Sequence, residues 1–159
     1  MNQSDAACKI DDDLDGSPET ASAEHAQFIG SDPLARAEAA LRSLSSQFGA
    51  WLQDELVKLD AARTAIDEHG ATPSTLDQLH LRAHDLKGLG TTYGYPLVSR
   101  AAASLSMLLG RAHDEPPIAL IDAHIQTIRA IVRDDIRDPS DPAALATVES
   151  LERAVARPG

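Results

Sequence analysis

Between positions 34 and 155 the apolar residues return every three or four places, a spacing that puts them on one face of a helix and on no single face of a strand. The first such stretch runs through Leu34, Ala37, Leu41, Leu44, Phe48, Trp51 or Leu52, Leu56, Leu59 and Ile66 until Gly70 and Pro73 stop it. Asp32 and Pro33 predict where it begins, because the carboxylate caps the free N–H groups of a first turn and proline has no N–H to leave unsatisfied there. Gly49 is where a bend or a break is expected. A helix of this length outruns the others, so its upstream half is expected either to fold back over them or to project as a partner or dimer surface.

Four more segments repeat the pattern. Thr75 or Ser74 caps a second helix with Leu76, Leu79, Ala83, Leu86, Gly90 and Tyr93 in one stripe and Gly94 as its stop. A third follows Pro96 with Leu97, Ala101, Leu105 and Leu108 inward, ends near Gly110, and the chain reverses over 113–117. A fourth spans about 117–137 with Ile118, Ile121, Ile125, Ile128 and Val132 inward. Asp138, Pro139 and Pro142 separate it from a last helix through Leu145, Val148, Leu151 and Val155. Alanine and leucine dominate, and the runs of valine, isoleucine or threonine that favour strands are few. The expected fold is all-α. Short connections make successive amphipathic helices antiparallel, giving an up-and-down four-helix bundle with additional terminal helical segments across 32–159.

The acidity of the chain is uneven. Of a formal net charge of -11, most belongs to the first 32 positions, which hold eight acidic residues and only Lys9 among the basic ones. Segment 1–31, with its Asp-rich run at 11–15, Gly16, Pro18 and scattered serines, has no sustained apolar period and is expected to be a disordered acidic tail. The charge opposes attraction to nucleic-acid phosphates or anionic membranes, so the expected partners are proteins. No apolar run approaches the roughly 20 residues that span a bilayer, and positions 1–17 lack the basic-then-apolar order of a signal peptide. The single cysteine, Cys8, permits no internal disulfide, and a cytoplasmic location is expected.

The chemistry concentrates in Ala83-His84-Asp85-Leu86-Lys87-Gly88-Leu89-Gly90-Thr91-Thr92-Tyr93-Gly94. On a helix whose stripe contains Ala83, Leu86 and Gly90, His84 lies on the solvent side, with Lys87 and Gly88 three and four residues on as its neighbours. Gly88 demands a reason, since a helical glycine costs about 1 kcal/mol relative to alanine and packing cannot require one that faces water. A bare patch beside the imidazole supplies it, by letting a bulky partner approach. Gly90 lies on the inward stripe, where close helix packing suffices.

His-x-x-Lys-Gly, with another glycine six residues beyond the first and then an apolar helix, resembles the signature of histidine-containing phosphotransfer (HPt) domains. The resemblance covers mainly 76–108, with the helices before and after it present in outline. It implies that His84 is phosphorylated, that Lys87 stabilises the phosphoryl oxygens and that Gly88 gives the partner clearance. His80, Leu81 and Thr91 fall on the rim of the docking face so implied. Two positions depart from the family pattern: Leu89, where a small residue is frequent, and Ser104-Leu105-Ser106, where an acidic residue often stands. The implied function is a phosphorelay intermediate, which accepts a phosphoryl group from the aspartyl phosphate of a receiver domain and passes it to another. The partners would be receiver domains of response regulators or a hybrid histidine kinase. Mg2+ would sit on the receiver, and the chain would need no cofactor of its own. An exposed neutral imidazole is nucleophilic enough for this without special activation.

Competing chemistry finds little support. There is no Gly-x-x-x-x-Gly-Lys-[Ser/Thr] phosphate loop, and the residues after His84 are taken up by helices, so an ATP-dependent kinase is not expected. His80 and His84, four apart, form a helical pair of the kind found in zinc sites, but Leu81 stands where a metalloprotease motif has glutamate and no third ligand is evident. His25, His69, His113 and His124 read as surface residues, and Phe48 and Trp51 as core. A noncatalytic helical adaptor that binds receiver domains without accepting phosphate stays open, as does the oligomeric state. Arginine exceeds lysine 11 to 3, which with abundant alanine is compatible with a GC-rich bacterial source.

Overall fold

Proline holds φ near its helical value and has no N–H to lose at a first turn, and in a computed structural model it opens four of the five helices among the described residues. These are α1 (Pro33–His69), α2 (Pro73–Thr92), α3 (Pro96–Arg111), α4 (Ile118–Arg133) and α5 (Pro142–Ala156), with no strand among the residues described, 32–112 and 115–157. The acidic segment 1–31, with Cys8 and His25, lies outside them, as does His113. No helix among the described residues is long and apolar enough to cross a membrane.

Contacts divide the chain into a unit of Met1–Leu41 and a unit of Arg42–Gly159. In the first, described over 32–41, Asp32 Oδ1 accepts from the Leu34 N–H at 3.1 Å, the cap expected from Asp32-Pro33. Leu34 and Leu41 are exposed. The second unit holds the core. There α1 contributes Leu52, Leu56, Leu59, Ala62 and Ile66, which pack with the predicted stripes of the four later helices. The helix is not divided at Gly49.

The core reading of Phe48 and Trp51 is corrected: Trp51 is 47% exposed and Phe48 half-buried, while Leu52 is fully buried. Both rings gather on Tyr93, just past the end of α2, with Phe48 stacked on it at 5.4 Å between centroids. On α1 the buried core begins at Leu52, and Leu44, one turn before Phe48, is exposed.

Two helix boundaries also differ from expectation. α2 begins one turn early: Thr72, not Thr75 or Ser74, is the cap, accepting from the Thr75 N–H at 3.2 Å while the Thr72 N–H donates to Thr75 Oγ1 at 3.0 Å. Pro73, which reads as a stop for α1, is also the start of α2. α4 ends at Arg133 rather than near Arg137, because Asp135 takes a left-handed φ of 51° and the Ile136 N–H turns back to the Ile131 carbonyl at 2.9 Å. Aspartate tolerates that conformation better than most residues, and its side chain is anchored. The Tyr95 hydroxyl donates to Asp135 Oδ1 at 2.6 Å, and Arg137 Nε to the same oxygen at 2.8 Å. These bonds hold the Asp135 carboxyl below its ordinary pKa, while burial first, and Asp135 second, push the Tyr95 hydroxyl up.

Ion pairs tie the outer faces of the second unit. Arg63 on α1 reaches both oxygens of Asp122 on α4, at 2.6 and 3.1 Å, and Arg129 on α4 pairs with Asp60 on α1. Arg100 on α3 holds Glu152 on α5 at 2.7 and 3.0 Å.

His124 is a further correction, being fully buried rather than on the surface. Its Nδ1–H donates to the Leu120 carbonyl at 2.7 Å, which leaves Nε2 to accept from the buried Ser104 hydroxyl at 2.9 Å. Ser104→Ala strips that nitrogen of its partner and is expected to cost about 1–3 kcal/mol in urea unfolding. Burial also pushes the imidazole pKa below its ordinary value. The unfolded chain therefore binds a proton at a pH where the folded chain refuses it. Stability is full above the unfolded pKa of about 6.5 and falls as pH drops from there toward the folded one. The urea midpoint should decline between pH 7.5 and 5 in the wild type and decline less in His124→Gln. Equal slopes would count against a neutral buried ring.

Candidate functional site

The site is built on the outer face of α2. Its inner stripe, Leu76, Leu79, Ala83, Leu86 and Gly90, is buried as the spacing predicts, and that fixes which way the other residues point. His84 is exposed, as are Lys87, Gly88 and Thr91. Leu81 is 52% exposed and His80 half-buried. His84 and Lys87 have no hydrogen-bond or ion-pair partner among the described residues, so the one offers an unengaged ring nitrogen and the other an unneutralised ammonium.

Gly88 and Gly90 differ in what surrounds them. A Cβ built on Gly88 meets nothing within 4 Å, so the clear space beside the imidazole is a property of the surface itself. A Cβ on Gly90 would stand 2.6 Å from Ser99 Oγ and 2.7 Å from Ser99 N, where α3 crosses against α2. The same Ser99 Oγ accepts from the Thr91 N–H at 2.7 Å and the Thr91 hydroxyl at 2.9 Å. Thr91 is thus held by α3, although its residue remains exposed. Gly94 closes the helix with a φ of 85°, its N–H on the Thr91 carbonyl at 3.1 Å and the Tyr95 N–H on the Gly90 carbonyl at 2.7 Å. The caps and the close approach to α3 make α2 a rigid mount for His84.

An open depression of about 450 Å³ lies beside the imidazole, lined by Glu55, Lys58, Arg82, His84, Asp85, Gly88 and Leu89. Glu55 and Lys58 come from α1 and were not legible as site residues, because the spacing within α2 says nothing of which turn of α1 lies next to it. Arg82 was within reach of sequence reasoning as a cation two residues before His84. Among the described residues no group of three or more His, Cys, Asp or Glu side chains is placed to hold a metal ion, and the His80–His84 pair gains no third ligand.

No family model, curated protein or solved structure matches this chain. The chemistry of the site rests on its own geometry. An unengaged imidazole on a rigid helix, open on one side and bordered by an unpaired ammonium, can act as a nucleophile. Among the described residues, the depression that His84 lines is open to solvent.

Proposed function

We propose that the chain is a phosphorelay intermediate that takes a phosphoryl group from the aspartyl phosphate of a receiver domain onto His84 and passes it to another receiver domain. The observation that carries this reading is the exposed His84 beside the empty space over Gly88. A receiver must bring its phosphorus within bonding distance of a ring nitrogen, and a side chain at position 88 would stand in its way. The ring nitrogen's lone pair forms the nitrogen–phosphorus bond as the phosphorus–oxygen bond to the aspartate breaks, and that electron pair leaves with the carboxylate. Lys87 stabilises charge on the transferring oxygens. Mg2+ and most of the charge-stabilising groups belong to the receiver, so the chain itself needs only a positioned nitrogen and a cation.

The HPt resemblance and the helices joined by short connections support an up-and-down antiparallel four-helix bundle, with an additional terminal helical segment, as the mount for this chemistry. A cytoplasmic location follows from the same reading, since that is where receiver domains act.

Incubation with receiver domains carrying a labelled aspartyl phosphate tests it. Label is expected on the wild type in an acid-labile, alkali-stable linkage and is expected to be absent from His84→Gln, whose helical circular dichroism stays unchanged. A wild type that takes no label from any donor but still binds receivers would leave the noncatalytic adaptor in its place.

A further inference from the structure

The depression beside His84 is edged by two ion pairs rather than by cations alone. Lys58 reaches it from α1 and Arg82 from α2, each beside a carboxylate three residues away on its own helix. Lys58 Nζ stands 2.6 Å from Glu55 Oε1, and Arg82 Nη1 3.6 Å from Asp85 Oδ2. The Lys58 side chain is 50% exposed against 17% for Glu55, and Arg82 and Asp85 are 36% and 37% exposed, so water reaches the cation of each pair. Exposed pairs of this kind are worth little, and either cation can leave its carboxylate when a denser negative charge arrives. A phosphoryl group is such a charge, with three strong acceptor oxygens and close to two negative charges at neutral pH. It also repels Glu55 and Asp85, which loosens the pairs from the other side.

We propose that Lys58 and Arg82 are additional phosphoryl-binding residues of the His84 face, kept in reserve by Glu55 and Asp85 until a phosphoryl group on His84 draws them across. The inference rests on the phosphotransfer reading and deepens it. It recruits cations from two helices to the phosphorylated state, and it gives the two carboxylates a role of opposite sign. By competing for the cations they weaken the hold on the phosphoryl group, so that the group is passed on instead of being retained.

The test is the equilibrium ratio of phosphohistidine to receiver phosphoaspartate, measured at low salt with one receiver domain against the wild type and four single variants. Lys58→Gln and Arg82→Gln should each lower the ratio by about two- to fivefold, and Glu55→Gln and Asp85→Asn should each raise it by a similar factor. All four differences should shrink toward the wild type at high salt. A merely structural role would move the melting temperature and push partners in a pair the same way. If the wild type is labelled but the cation and carboxylate variants share a sign or leave the ratio unmoved, this inference fails alone. If the wild type is never labelled, the phosphotransfer reading fails and takes this inference with it.

Discussion

Gly90→Ala is expected to lower the melting temperature by roughly 5 to 10 °C, although alanine is the better helix former. The added methyl would sit 2.6 Å from Ser99 Oγ and 2.7 Å from Ser99 N. The hydroxyl can turn aside only by giving up the Thr91 N–H and the Thr91 hydroxyl, both of which it accepts. The amide nitrogen belongs to the first turn of α3 and cannot move unless α3 moves with it. Inserting a methylene-sized group into a packed contact costs about 1–3 kcal/mol, and here the obstacle is backbone, which favours the upper end. That exceeds the gain of about 1 kcal/mol from replacing a helical glycine. Thermal unfolding followed by circular dichroism decides it, and an unchanged or raised melting temperature would show that α2 and α3 are not in this close contact. Removing the hydroxyl as well, in Gly90→Ala with Ser99→Ala, should recover little, because Ser99 N remains.

The residues that announced the fold are those whose behaviour is local. The stripes of α2 to α5 are buried where a three-and-four spacing puts them except at Tyr93, Ile118 and Leu145, which are half-buried at the edge of the core, and Gly94 and Gly70 adopt the positive φ that ends a helix. What the sequence does not carry is decided by distant residues. Asp135 could not be foreseen as a helix stop, because what secures it is Tyr95, forty residues earlier. His124 looked like an ordinary surface histidine until Ser104, twenty residues earlier, supplied its buried partner. Phe48 and Trp51 continue the spacing that predicts a core, but on α1 the core begins at Leu52 and both rings lie against Tyr93 past the end of α2. The site divides in the same way. The exposure of His84, Lys87 and Gly88 follows from one helix and its stripe, whereas Glu55 and Lys58 enter only through the pairing of α1 with α2.

Gly88→Leu should slow transfer from a receiver domain by about 10- to 100-fold while leaving the fold at least as stable as before. The position is exposed, lies inside α2 and has nothing within 4 Å of a Cβ, so alanine gains helix propensity without a clash and leucine's side chain starts from clear space. Gly88→Ala should accordingly stabilise the protein by about 0.5–1 kcal/mol, the reverse of the effect two residues along at Gly90. What leucine obstructs is the approach of a second protein, since it projects beside the imidazole from one turn further along the same face. A displacement of the reacting atoms by about 1 Å is enough to cost two orders of magnitude in rate. A small donor such as phosphoramidate needs no docking face, so labelling of His84 by that donor should fall far less in Gly88→Leu than labelling by a receiver. The ratio of the two rates separates clearance from any effect on the ring itself. If leucine leaves receiver transfer at the wild-type rate, the bare helix surface at position 88 has some other cause; if both donors slow alike, it acts on the imidazole and not on the partner's approach.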